Sequence, residues 1–338
     1  MTPWDAMLAA YARETPPEAA YYSDLTDEAT AMLRNETQRI RPAAANGSPG
    51  GMVLLDTGMP TIVVPDLHAR RGFFMSLMAN RLAGGMTVME ALEKGKLQIL
   101  CLGDGFHAEG RAAGRWQAAY GEFLDGFRER AAMDAEMAES MGLMEMVMLA
   151  KTHFPERFHF LKGNHENVLN EEGAGNHPFR KFVLEGMMVY SYLEMRYGTE
   201  FIYRYAQMEK SLPVFAVGKR FLASHAEPAR AFSTEELIDA PLMAEVILGL
   251  TWTDNGAAKP GAVKELLKRF LPAIAKPRYL TGHRTISGLY RERSEGYHLQ
   301  IHNPNRYVVA WAMPDRDLEP EFDIGEIRDP SVNAAGRA

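Results

Sequence analysis

The chain has 338 residues, of which 46% are hydrophobic and 24% are charged. This balance is typical of a folded globular protein and excludes a largely disordered or fibrous chain. The formal net charge is −7, so no overall positive field attracts nucleic acid or an anionic membrane surface.

The sequence shows neither a targeting segment nor a membrane span. Its first residues lack a basic start followed by an apolar stretch, and no apolar run reaches the roughly 18 residues that a spanning helix needs. The single cysteine, Cys101, lies inside an apolar run, which indicates a buried thiol in a reducing compartment. We therefore expect a cytoplasmic protein with no membrane partner and no evident nucleic-acid-binding surface.

The first 50 residues differ in pattern from the rest of the chain. Helical patterns at about Trp4–Arg13 and Asp24–Arg39 precede a stretch over residues 41–47 that contains proline, asparagine and glycine. This arrangement predicts a helical N-terminal extension and linker over residues 1–50. The main domain is then expected over residues 51–318.

From Thr61 onward, short apolar runs alternate with helical stretches, which is typical of an α/β fold with buried strands. Helical inserts are predicted near residues 112–151 and 177–210, and methionines at helical spacing in the first favour a packed helix or helical hairpin. The predicted strands are Thr61–Val64, Leu97–Leu102, Phe158–Leu161, Val214–Val217, Arg220–Ala223 and Arg278–Thr281.

The last third of the main domain predicts antiparallel strands. Three runs, at Ile286–Glu292, Tyr297–His302 and Tyr307–Met313, have strand composition, and Asn303-Pro304-Asn305 predicts a turn between the second and third. Residues 319–338 are polar, which predicts a flexible C-terminal tail.

Polar clusters come directly after five of the predicted strands, where open α/β sheets place their ligands. Asp, Asn and His together are a ligand set for Mn, Fe or Zn. Each residue alone has a structural explanation as a helix cap, a turn residue or a core histidine, but five such clusters favour a metal site. The clusters are Asp66-Leu67-His68, Gly103-Asp104-Gly105-Phe106-His107, Lys162-Gly163-Asn164-His165-Glu166, Ser224-His225 and Gly282-His283-Arg284.

In this order the clusters resemble the motifs of the calcineurin-like metallophosphoesterases, and within them the phosphoprotein phosphatase branch. The most specific match is Gly163-Asn164-His165-Glu166, and Ser211-Leu212-Pro213 and Leu250-Thr251-Trp252-Thr253-Asp254 agree outside the ligand motifs. The resemblance covers about Thr61 to Pro314. It implies a central β-sandwich of mixed sheets flanked by helices, with a dinuclear metal site at the C-terminal ends of the strands.

The resemblance also implies roles for these residues. Two divalent ions (Mn, Fe or Zn) would be bound, with Asp66 and His68 on the first ion, and Asp104 bridging both. His165 would be the general acid, and a metal-bridging hydroxide would attack a phosphate ester of a protein, nucleotide or small molecule. The remaining ligands, on the second ion, would be Asn164, His225 and His283.

The chain departs from the branch at its phosphate-binding arginines. His107-Ala108-Glu109 stands in place of Asp-Arg-Gly, and Lys162 replaces the arginine before Gly163. His107 would be the partner of His165, a phosphate donor or an extra metal ligand. The candidate substrate-binding residues are Asn164, Lys162, Arg284 and Arg111, and other arginines that could compensate are Arg70, Arg71 and Arg115. Histidines without ligand-like spacing are interpreted as surface or core residues: His153, His159, His177, His298 and His302.

Three hypotheses are compatible with these residues. The first is a phosphomonoesterase similar to serine/threonine phosphatases. The second is a phosphodiesterase or dinucleotide-polyphosphate hydrolase, which the missing arginines favour because arginine pairs grip a phosphomonoester dianion. The third is a non-catalytic scaffold of the same fold, against which the complete set of ligands argues.

Overall fold

Two β-sheets packed face to face, with helices on both outer sides, form the protein in a computed structural model that describes residues 2–327. The strands are β1 (Met52–Leu54), β2 (Thr61–Val64), β3 (Gln98–Cys101), β4 (Phe158–Phe160), β5 (Phe215–Val217), β6 (Phe221–Ser224), β7 (Arg278–Thr281), β8 (Arg291–Arg293), β9 (His298–Gln300), β10 (Val308–Ala312) and β11 (Ile324–Glu326). The α-helices are α1 (Pro3–Ala12), α2 (Ala19–Arg34), α3 (Arg71–Ala79), α4 (Val88–Glu93), α5 (Ala113–Leu124), α6 (Ala131–His153), α7 (Glu185–Tyr197), α8 (Thr199–Lys210), α9 (Thr234–Ile238), α10 (Ala244–Thr251), α11 (Ala262–Phe270) and α12 (Pro320–Asp323).

Both sheets are mixed, as the resemblance implied. The six-stranded sheet has the order β1-β5-β6-β7-β9-β8, and the five-stranded sheet has the order β11-β10-β2-β3-β4. In one sheet β2, β3 and β4 are parallel, and in the other β6, β7 and β9 are parallel. Because parallel strands end at the same edge of a sheet, the loops at their C-terminal ends lie side by side.

The apolar strands bury side chains on both faces. In β2, Ile62 and Val64 pack against the helices, whereas Val63 packs between the two sheets. Leu100 and Leu280 meet Val63 in that central layer from β3 and β7. Burial on both faces explains why these strands are continuous apolar runs rather than alternating ones.

The six predicted strands from Thr61 to Thr281 correspond to β2–β7. β8 and β9 are antiparallel as predicted. The prediction of a third antiparallel neighbour is wrong, because β10 lies in the five-stranded sheet, between β2 and β11. The turn at residues 303–305 thus connects the two sheets and does not close a hairpin.

The methionine-rich insert consists of two packed helices, α5 and α6, as the hairpin interpretation predicted. The chain reverses between them at Gly126, whose φ is +68°, a value that favours glycine. Burial confirms that the methionines belong to the core: Met133, Met137, Met141, Met144, Met146 and Met148.

The N-terminal helices pack against this insert, since α1 and α2 contact α6 and α2 also contacts α8. The segment predicted as a linker is packed as well. Arg41 is 1% exposed, and its Nε donates to the Gly50 carbonyl at 2.7 Å. Its guanidinium and the Lys151 ammonium both pair with Glu36. Residues 41–50 therefore form part of the domain, because a buried ion cluster fixes them to α6.

The C-terminal segment differs from the predicted flexible tail where the structure describes it. Residues 320–326 form α12 and β11, and β11 extends the five-stranded sheet beyond β10. Ile324 and Ile327 are buried and hold this segment against the domain. The largely polar composition of the segment did not indicate these two contacts. The rest of the predicted tail, residues 328–338, lies outside the described residues.

None of the helices within residues 2–327 combines the length and the apolar character needed to cross a bilayer.

Candidate metal centre

The polar segments predicted from the sequence meet at one edge of the two sheets. The loops contact one another through the backbone: the His68 amide donates to the Asp104 carbonyl at 2.7 Å, and the His283 amide donates to the Asp66 carboxylate at 2.9 Å. The five-stranded sheet contributes Asp66 and His68 after β2, Asp104 after β3, and Asn164 and His165 after β4, whereas the six-stranded sheet contributes His225 after β6 and His283 after β7.

Asp66, His68 and Asp104 form the first group of donors. His68 Nε2 lies 3.7 Å from Asp66 Oδ2 and 3.6 Å from Asp104 Oδ2. All three side chains are at most 4% exposed. Asp104 Oδ2 also lies 3.5 Å from His225 Nε2, so this carboxylate stands between the first group and the second.

Asn164, His225 and His283 form the second group. Asn164 Oδ1 lies 2.9 Å from His225 Nε2 and 3.0 Å from His283 Nδ1. The two imidazole nitrogens are 3.2 Å apart. Three atoms that can donate electron pairs thus lie within 3.2 Å of one another, which is close enough for them to share one cation.

Hydrogen bonds from the opposite ring nitrogens orient two of the histidines. His225 Nδ1 lies 3.0 Å from the Leu102 carbonyl, and His68 Nδ1 lies 3.3 Å from the Phe106 carbonyl. A carbonyl accepts only from a protonated nitrogen, so each Nε2 is left with a free lone pair facing the centre. This is the outer support that metal-binding histidines ordinarily have.

The electrostatics of the site also fit divalent ions. Burial lowers the pKa of His68 and His225 well below the ordinary value, and it lowers the pKa of His283 to about 4, so these rings are neutral, as ligands must be. Burial raises the pKa of Asp66 and Asp104. Two dications would remove that penalty on buried carboxylates.

His165 lies beside this centre, and its side chain is 12% exposed. Its Nε2 is 3.8 Å from Asp104 Oδ2, and its ring stacks on Phe179 with centroids 4.8 Å apart. The His107 ring is 5.1 Å away, and His107 Nε2 is 3.7 Å from Glu185 Oε1. The Glu185 carboxylate therefore lies near His165 without contacting it, because the His107 ring stands between the two side chains. Sequence patterns did not indicate Glu185, because it begins a distant helix, α7.

Two further residues at the centre were missed. His302, which was interpreted as a surface or core residue, is fully buried with its Nε2 4.0 Å from Asp66 Oδ2. Glu109 Oε1 lies 3.4 Å from His68 Nε2. His302 comes just after the run that becomes β9, so the strand-end pattern used for the other ligands was present there also.

Several predicted substrate contacts are engaged elsewhere. Lys162, predicted to bind substrate, is 4% exposed, and its Nζ donates to the Glu166 carbonyl. Arg70 is also buried and donates to backbone carbonyls, including that of Asn303 at 2.9 Å. Arg71 likewise donates to the Arg13 carbonyl at 2.5 Å. Their guanidinium and ammonium groups donate to backbone carbonyls and so fix loops.

A cavity of about 290 Å³, here called the entrance cavity, opens beside the first group of donors. Arg111 and Lys181 line it together with His68 and Glu109. Arg284 does not line it and pairs with Asp254. Arg115 is held by Glu136 and Glu139, and Arg111 also pairs with Glu139, at 2.6 Å. Arg111 and Lys181 are the half-exposed cations that line the entrance.

The fold is similar to that of solved phosphatases. A protein serine/threonine phosphatase from Saccharomyces cerevisiae has a TM-score of 0.57 and 14% identity over 92% of this chain and 90% of the yeast chain. A cold-active protein-tyrosine phosphatase from Shewanella has a TM-score of 0.46 and 11% identity over 82% of each chain. No protein-family model and no curated protein sequence matches the chain. The similarity to the yeast enzyme, together with the two mixed sheets, shows that the chain has the metallophosphoesterase fold expected from its motifs.

Proposed function

We propose that the protein is a metal-dependent hydrolase of phosphoric esters that acts on phosphomonoesters. The observation that supports this is the convergence of two donor groups on the shared carboxylate of Asp104, whose Oδ2 lies 3.6 Å from His68 Nε2 and 3.5 Å from His225 Nε2. A fold of this kind can host many activities. The proposal therefore depends on the donor groups and not on the fold.

Two divalent ions fit these donors. Asp66, His68 and Asp104 would hold the first, and Asp104 would share the second with Asn164, His225 and His283. Bound ions of this kind activate water and neutralise charge on a phosphoryl group. Oxygen and imidazole donors without a thiolate suit Mn, Fe or Zn.

His165 is suited to give a proton to the leaving oxygen. Its Nε2 faces the Asp104 carboxylate at 3.8 Å, at the junction of the two donor groups. Stacking on Phe179 fixes the plane of the ring. We infer that the proton passes from Nε2, because Nδ1 is buried among protein atoms.

Arg111 and Lys181 are the cations best placed to attract the phosphate. Their side chains are 38% and 46% exposed, and both line the entrance cavity. Arg111 also lines a second cavity of about 430 Å³ beside it. This space favours a phosphate carried by a larger molecule, with the remainder of the substrate in the second cavity.

The second candidate is hydrolysis of phosphodiesters or dinucleotide polyphosphates. It is favoured by the Glu109 carboxylate, which lines the entrance cavity. This negative charge opposes a phosphomonoester dianion more strongly than a diester monoanion. Lys181 Nζ lies 2.9 Å from Glu109 Oε1 and offsets part of that repulsion.

Hydrolysis of p-nitrophenyl phosphate and bis-p-nitrophenyl phosphate by the Mn²⁺-loaded protein tests the proposal. We expect faster turnover of the monoester, and we expect Asp104→Asn to abolish turnover and lower the metal content. Preference for the diester would establish the second candidate. If the protein binds metal but hydrolyses neither ester, the result would favour the non-catalytic scaffold over both enzyme hypotheses.

A further inference from the structure

We propose that Glu109 and His302 are two additional ligands of the ion held by Asp66 and His68. The inference rests on the proposed two-metal function, and it concerns how this chain completes the first ion's shell. It assigns a metal-binding role to a carboxylate from the loop after β3 and an imidazole from the loop after β9.

Glu109 is directed into the centre by an unusual backbone. Its φ is +50°, a region that costs an ordinary side chain about 1–3 kcal/mol. The side chain is 9% exposed. Oε1 lies 3.4 Å from His68 Nε2, and Oε2 lies 3.3 Å from His302 Nε2. A carboxylate held in this way, facing two imidazoles, has the position of a ligand rather than of a surface group.

His302 is fully buried, and neither of its ring nitrogens makes a hydrogen bond. Nε2 faces the carboxylates of Asp66, at 4.0 Å, and Glu109. A buried polar atom without a partner is expensive. A cation between these carboxylates would coordinate Nε2, whose 3.3 Å contact with Glu109 Oε2 does not have the geometry of a hydrogen bond.

The distances between neighbouring donors match this role. Metal–ligand bonds of about 2.0–2.2 Å to nitrogen and oxygen place adjacent donors about 3 Å apart around one ion. Around this position the separations are 3.7 Å for Asp66–His68, 3.4 Å for His68–Glu109 and 3.3 Å for Glu109–His302. A modest inward movement on binding would close the ring of donors.

The additional carboxylate changes the charge of the centre. Asp66, Asp104 and Glu109 carry three negative charges against four positive charges on two dications, which leaves +1 where two carboxylates would leave +2. Lys181, bound to Glu109, restores a positive charge at the entrance. The first ion is then held more tightly, while the phosphate is attracted by the lysine.

Titration with Mn²⁺ tests the assignment, with free Mn²⁺ measured by electron paramagnetic resonance. Glu109→Gln keeps the size of the side chain, and His302→Asn removes the imidazole. We expect the native protein to bind two Mn²⁺, and each variant to bind one of them at least about 10-fold more weakly. Melting of the metal-free proteins in EDTA shows whether each variant is folded.

Two matched variants control for the loss of a buried group. Glu136→Gln removes a buried carboxylate that caps the same loop at the Ala108 amide, and His298→Asn removes a buried histidine from the strand that precedes His302. We expect both to bind two Mn²⁺ with native affinity. Native affinity in Glu109→Gln, or equal weakening in the controls, would overturn the assignment. Normal Mn²⁺ binding without ester hydrolysis would instead contradict the proposed function.

Discussion

His165 is held by rings on several sides. Its imidazole stacks on Phe179 and meets the His68 ring edge-on, with centroids 5.0 Å apart. The His107 ring, which itself stacks on Trp116 at 4.9 Å, lies behind it. A ring fixed in this way needs little reorganisation to deliver a proton to a leaving oxygen.

Replacement of His165 by alanine separates proton donation from metal binding. We expect His165→Ala to retain two ions and to lose about 10²–10⁴-fold in rate on phenyl phosphate. The loss on p-nitrophenyl phosphate should be smaller, because nitrophenolate leaves without protonation. Rates on the two esters, with metal content from elemental analysis, decide this. Equal losses accompanied by lost metal would show that His165 has a structural role.

The residues of the centre differ in how readily the sequence identifies them. Asp66, His68 and Asn164 each lie in a short motif at the end of an apolar run. Glu109 lies outside such a motif and depends on a left-handed backbone, whereas His302 does follow a strand but reaches the centre only through the pairing of β9 with β7. Local patterns identify ligands that one loop presents, and tertiary pairing supplies the others.

At the scale of the elements, the strand-end loops are tightly packed against the ligands. A methyl group at Gly282 would overlap the Asp66 carboxylate, and one at Gly163 would overlap the Asp104 carboxylate. Glu166 accepts from the Gly163 amide at 2.6 Å and from the Gly105 amide at 2.8 Å, which ties the loops after β3 and β4 together. These loops therefore fix each other's carboxylates.

Gly282→Ala tests this packing. The added methyl group should displace the Asp66 carboxylate, cost about 1–3 kcal/mol of unfolding free energy and weaken Mn²⁺ binding. Gly325→Ala is the matched control, because a methyl group there meets no other atom within 4 Å, and its effect should stay within about 0.5 kcal/mol. Urea denaturation and Mn²⁺ titration measure both quantities. A Gly282→Ala protein with native affinity would contradict the tight contact.

The elements were predictable where burial gives a clear pattern. β2–β7 were found because both of their faces are covered. The position of β10 was not, because its sequence neighbour β9 is not its neighbour in space. The local sequence of β9 and β10 does not indicate that the chain passes from one sheet to the other between them.

At the scale of the whole molecule, the N-terminal segment belongs to the core. The Glu36 side chain is 3% exposed and lies between the guanidinium of Arg41 and the ammonium of Lys151, in α6. This cluster joins the first 50 residues to the longest helix of the described chain. The sequence predicted a helical extension and linker over residues 1–50, because composition does not reveal which charges pair in the interior.

Removal of the Glu36 charge should destabilise the protein. Glu36→Gln leaves two buried cations without their anion, and such a loss costs about 3–5 kcal/mol. Glu28→Gln, at an exposed position of α2, should stay within about 0.5 kcal/mol. Urea denaturation in EDTA, which removes the contribution of bound metal, is the measurement. If both variants unfold at the native urea concentration, the ion cluster is unimportant for stability.

The origin of the donors in two separate layers has a mechanical consequence. Asp66 and His68 extend from one sheet, whereas His225 and His283 extend from the other. Ions held between them would join the layers at one edge of the sandwich. Each ion would add about 2.7 kcal/mol to the free energy of unfolding at a free ion concentration 100 times its dissociation constant. Metal supply would then govern how long the molecule survives as well as how fast it works.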